Sequence, residues 1–167
     1  MNVVIRRATE ADAELLSALN AEVQAIHANA LPWWFKPPGE ASFPPDRAAA
    51  LMASPDNVVL VAELDSAPVG YAYAEIIRQP ETPWRYGYEM MYLHQLGVRS
   101  MHRRRGVGRA LIEAVCSTTG SAGIKLFALD VWTFNDDARA FFRRCGFASY
   151  NERLWMQLRK DCDDETY

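Results

Sequence analysis

Apolar positions along the chain change their period several times, and each change marks an element. Val3, Val4 and Ile5 read as an opening strand over residues 2–8. Thr9 then offers an N-cap, and Leu15, Leu16, Leu19, Val23 and Ile26 recur at helical spacing, which predicts an amphipathic helix over residues 11–28. Pro32, Pro37, Pro38, Pro44 and Pro45 block regular structure in residues 31–45, leaving a loop that carries Trp33, Trp34, Phe35 and Phe43. A short helix over 46–53 precedes strands at 58–63 and 69–77, joined through Asp65-Ser66-Ala67-Pro68. A long strand over 86–98 follows, then a helix marked by Val107, Leu111, Ala114 and Val115, then a strand at 124–131. Asn135 caps the next helix, Asp136 and Asp137 suit its positive end, Arg143 and Arg144 its negative end, and Gly146 its C-terminal turn. A last strand over 147–158 gives the order βααβββαβαβ, one domain over 1–159, with residues 160–167 as a mobile acidic tail.

Composition narrows the class. Half of the 167 residues are apolar and 23% are charged, which suits one globular domain and excludes a disordered chain. Near-apolar runs such as 58–62 span five residues, against the roughly 20 of a membrane-spanning helix. Arg6 and Arg7 precede any long apolar run, so no secretory signal is read and a cytoplasmic location is expected. Cys116, Cys145 and Cys162 are odd in number and form no C-x-x-C pair, which favours reduced thiols. The net charge of -3 resides in the tail, where Lys160 faces Asp161, Asp163, Asp164 and Glu165. A neutral body argues against nucleic-acid binding. One basic concentration remains: Arg99, Arg103, Arg104, Arg105 and Arg109, five cations in eleven positions, which suits a small polyanion.

Within it lies Arg103-Arg104-Arg105-Gly106-Val107-Gly108, between a strand and a helix. Glycines there let main-chain amides approach an anion at a helix N-terminus, and arginines supply forked donors for phosphate oxygens. A dinucleotide-binding turn would require a third glycine where Leu111 stands, and a P-loop would require Gly-Lys-Ser or Gly-Lys-Thr. His27 and His102 have no ligand-like spacing, so no metal site is expected.

These residues resemble the GCN5-related N-acetyltransferase (GNAT) superfamily, whose acetyl-CoA motif (Q/R)-x-x-G-x-(G/A) is matched from Arg103 to Gly108. The preceding strand, Tyr92 to Val98, stands at the family spacing, and Asn135, Ala138, Phe141, Phe142, Gly146 and Phe147 resemble its N-x-x-A-x-x-F-Y-x-x-x-G-F segment. The resemblance implies an α/β (α+β) fold with a mixed, mainly antiparallel sheet flanked by helices, and acetyl-CoA as co-substrate. It implies that the main chain of Leu96, Gly97 and Val98 holds the pantetheine arm and that amides from Arg104 to Gly108 hold the pyrophosphate. Arg103 and Arg109 would neutralise phosphates, with Asn135 and Phe142 near the thioester. The implied acceptor is a primary amine of a small molecule or peptide. Family members are often dimers, but the sequence specifies no interface.

A lysine-like amine is mostly protonated at pH 7, and its neutral form costs about 4.6 kcal/mol, so a base is needed. Alternation puts Tyr92, His94 and Leu96 on one strand face, and related arylalkylamine acetyltransferases carry histidines at the positions matching Tyr92 and His94. His94 is therefore the candidate base, the competing role being that of a hydrogen-bonded core residue. Phe142 stands where many relatives have a tyrosine that protonates the departing thiolate; Tyr92 or water would substitute, with Glu89 a weaker candidate for the proton path. Trp33, Trp34, Phe35 and Trp84 are candidates to wall the acceptor pocket, or else belong to the core or an interface. The missing tyrosine motivates a rival: a non-catalytic acyl-CoA-binding module.

Overall fold

The computed structural model describes residues 2–40 and 42–156. Its strands β1 (Val3–Arg7), β2 (Asn57–Leu64), β3 (Ala67–Gln79), β4 (Tyr88–Val98) and β5 (Phe127–Leu129) form one sheet in that order. The first three pairings are antiparallel and the last is parallel. Helices α1 (Ala13–Ala30), α2 (Pro45–Ala53), α3 (Val107–Ser121) and α4 (Asp136–Arg144) complete the fold.

β2 shows why its sequence is apolar without alternation. Val58, Leu60 and Ala62 pack with Val107, Leu111, Ile112 and Val115 of α3 on one face. Val59 and Val61 pack with Leu16 and Leu19 of α1 and Ala48 of α2 on the other. With both faces covered, the run from Val58 to Ala62 meets apolar atoms on either side, a fully buried leucine contributing about 1.5–3 kcal/mol. The hairpin from β2 to β3 closes on Asp65 and Ser66, whose φ values of 51° and 66° match the twist of a two-residue turn, so Ala67 and Pro68 join β3.

At the N-terminal end, Arg6 of β1 bonds Asp12 at 2.8 Å and Glu63 of β2 at 2.7 Å, while Asp12 also accepts from the Thr9 amide at 2.8 Å. The Arg6 hydrogen bond holds the Asp12 carboxyl down at about 2.

Two expected strands change. The strand expected over 124–131 shortens to Phe127–Leu129, because the buried Ile124 donates its amide to the Thr119 carbonyl at 3.1 Å and so closes the end of α3. The strand expected over 147–158 is not formed through residue 156, where Tyr150, Leu154, Trp155 and Met156 are exposed; β5, three residues long, offers too little edge for a partner. Residues 157–158 and the acidic tail lie outside the described residues.

Candidate active site

β4 and β5 pair only from Met91 to Leu93, opposite Phe127 to Leu129, and from His94 onward that edge of β4 has no strand partner among the described residues. Arg99 turns its amide to β3, bonding the Val69 carbonyl at 2.9 Å, so alternation turns the main-chain groups of Val98 and Leu96 to the open edge. The Val98 carbonyl accepts there from Arg103 Nε at 3.1 Å.

A bulge sits where the strands part. Tyr73 opposes Gln95 and Ala74 opposes Leu93, which leaves His94 unmatched. The extra residue reverses the faces of β4: Met91 and Leu93 before it, and Leu96 and Val98 after it, all pack on the α3 side. The expected shared face therefore holds for Tyr92 and His94 but not for Leu96. Gly97 instead faces α1, where a Cβ would come within 2.6 Å of the Tyr71 ring.

The exposed His94 ring meets three side chains. Its ring stacks on Tyr73 at 4.8 Å and 16°, meets Tyr92 at 4.9 Å in a T-shape, and bonds Glu75 Oε2 through Nε2 at 2.7 Å. Burial first, and then the Asp130 carboxylate, push Tyr92 up to about 12, so its hydroxyl stays protonated as a donor. Next to His94, Gln95 accepts from the Tyr71 hydroxyl at 2.9 Å, which in turn accepts from Asn20 of α1 at 3.3 Å.

The open edge leads to the arginine-glycine loop. Gly106 has φ 82° and Arg104 φ 59°, left-handed positions that curl the chain into α3. Ala110 makes the first helical bond, to the Gly106 carbonyl at 3.0 Å, and the amides of Arg104, Arg105, Gly106, Val107, Gly108 and Arg109 meet no acceptor among the described residues. Free donors so placed at a helix N-terminus are an arrangement that can cradle an anion. Gly108 has a different cause: a Cβ there would lie 3.3 Å from the Phe141 ring of α4. Arg103 is drawn back onto β4, and Arg109 pairs along the helix with Glu113 at 2.8 Å, an exposed contact that a phosphate can displace.

Rings from distant segments of the chain meet one another. Trp33 lies 5.1 Å from Trp155 and 5.4 Å from Trp34, while Phe35 lies 5.1 Å from both Trp132 and His27. Trp33 and Trp34 remain 57% and 60% exposed. Trp84 is not brought into this wall: it is 83% exposed on a turn closed by Thr82 and Arg85. Asn135 accepts from the Ala138 amide at 3.1 Å and caps α4, and Phe142 packs edge-on to Phe141 and Phe147. Glu89 is engaged by Arg78 at 2.9 Å, which also holds Asp56. Sequence reading missed Glu75 and Tyr73, although Tyr71, Tyr73 and Glu75 alternate along β3, and missed Trp132, Phe134 and Trp155. Among the described residues no three metal-ligating side chains converge, and no helix is long and apolar enough to cross a membrane.

The sequence pattern described as the Acetyltransferase (GNAT) family matches residues 23–147. No curated protein matches the chain. A variant of the BH1408 protein from Bacillus halodurans superposes with a TM-score of 0.89 at 26% identity, over 93% of this chain and 99% of that one. The aminoglycoside acetyltransferase AAC(6')-Iy, in complex with a CoA-acetylneamine bisubstrate analogue, gives 0.71 at 19% identity, over 95% and 99%. Another aminoglycoside acetyltransferase, from an uncultured soil metagenomic sample and bound to sisomicin, gives 0.63 at 21% identity, over 94% and 97%. At those identities the two enzymes show a shared fold.

Proposed function

From the premise that the chain belongs to the acetyltransferase (GNAT) family, we propose that it transfers the acetyl group of acetyl-CoA to a primary amine of a small molecule or peptide. The observation that carries the reading is the open edge of β4 running into the cradle of free amides. Leu96 and Val98 offer main-chain groups to the pantetheine arm, Gly97 turning its own to β3, the amides of Arg104 to Gly108 receive the pyrophosphate, and Arg103 and Arg109 add charge. Asn135 and Phe142 flank the thioester end.

The acceptor nitrogen attacks the thioester carbon, the C–S bond breaks, and its electron pair leaves on sulfur. His94 takes the proton released by the amine. A thiolate of pKa about 8.5 leaves without a dedicated acid, which fits Phe142, and Tyr92 or water then supplies its proton. Trp33, Trp34 and Phe35, joined by Trp132, offer ring faces to the acceptor by apolar and cation–π contact; Trp84 stands apart from them.

Phe142, with no hydroxyl, favours the second reading, an acyl-CoA-binding module without turnover. Calorimetric titration with acetyl-CoA, against NADH as comparison, followed by measurement of amine-dependent CoA release, separates the two. Saturable binding of acetyl-CoA alone together with amine-dependent release is expected. Binding with no release across a broad amine panel selects the module, and no binding by folded protein overturns both.

A further inference from the structure

We infer that Glu75 is a positioning residue whose carboxylate holds the Nε2 proton of His94 and makes Nδ1 the basic nitrogen of the site; this rests on the reading of His94 as base. A neutral imidazole carries one proton, and an ionised carboxylate only accepts. The 2.7 Å contact between Nε2 and Glu75 Oε2 therefore places that proton on Nε2 and leaves the lone pair on Nδ1, which has no partner among the described residues. The His94 side chain is 32% exposed, so an amine or a bridging water can reach it.

The bulge creates the pair. A regular ladder continued from Tyr73 and Gln95 would set Glu75 opposite Leu93, whose side chain belongs to the other core; the unmatched residue sets it opposite Tyr92 instead. Stacking on Tyr73 and the edge of Tyr92 then hold the imidazole plane. On transfer, the amine's proton goes to Nδ1, the Nε2 proton stays on Glu75, and the carboxylate compensates the imidazolium charge until the proton passes to solvent. No further reactant is required.

Nitrogen-15 NMR of the imidazole in the full chain reads the tautomer without any variant. The neutral form is expected as Nε2–H in the parent and as Nδ1–H in Glu75→Gln, whose amide can donate to Nε2. Turnover of Glu75→Gln should fall by about tenfold or more, less than the roughly 10²–10⁴ that a general base itself supplies, with acetyl-CoA affinity retained. Glu75→Asp should recover part of it, and adding Glu75→Gln to His94→Gln should cost nothing further. A neutral Nδ1–H tautomer in the parent overturns the inference, as does normal turnover in Glu75→Gln while His94→Gln is impaired. Unchanged turnover in His94→Gln overturns the base assignment itself, and the inference with it.

Discussion

Asp12 carries a charge that the fold holds through three donors: Arg6 and both the amide and the hydroxyl of Thr9. Its folded value of about 2 lies below the ordinary 3.8, so the native state binds this proton less readily than the unfolded chain. The stabilisation is complete above about pH 4 and is lost as pH falls toward 2, a contribution of roughly 1–2 kcal/mol after allowance for the exposed side of Arg6. Chemical denaturation across that window should show the slope, and Asp12→Asn should flatten it. Phe142 teaches a different lesson at the same scale. A phenyl ring kept where relatives carry a phenol is held by Phe141 and Phe147, so packing accounts for the aromatic without any proton chemistry.

Among elements, the loop into α3 makes the sharpest prediction. A Cβ on Gly106 would touch nothing within 4 Å, so the cost of Gly106→Ala is conformational, about 1–2 kcal/mol for a left-handed residue. Because that conformation aims the free amides, titration should show acetyl-CoA affinity reduced by about tenfold, the same free energy read as binding. This loop was legible in sequence because its signal is local, and so were the Asn135 cap and the Gly146 turn. The unmatched His94 was not, since a bulge is decided by pairing across β3 and β4. Alternation alone therefore put Leu96 on the wrong face and left Glu75 unseen. The length of β5 depends on the Ile124 bond that closes α3, and the expected last strand on the edge that β5 leaves, neither of which a window of residues records.

At the scale of the molecule, the aromatic wall joins segments about a hundred residues apart: the loop after α1, the loop before α4, and Trp155. Trp34→Ala should raise the acceptor KM by several-fold, corresponding to roughly 1 kcal/mol of ring contact, and leave acetyl-CoA binding as it was; steady-state kinetics with both substrates varied makes the check, and an unchanged acceptor KM would remove the wall from the site. The two halves of the site differ in kind. The half proposed for the acceptor is built from side chains, whereas the open edge of β4 and the loop before α3 present main-chain N–H and C=O groups, of which proline lacks only the N–H. Substitution rewrites the first directly and reaches the second through backbone conformation, as at Gly106. On the proposed function, a change of acceptor therefore needs only new side chains, while the main-chain seat proposed for the acyl carrier stays in place.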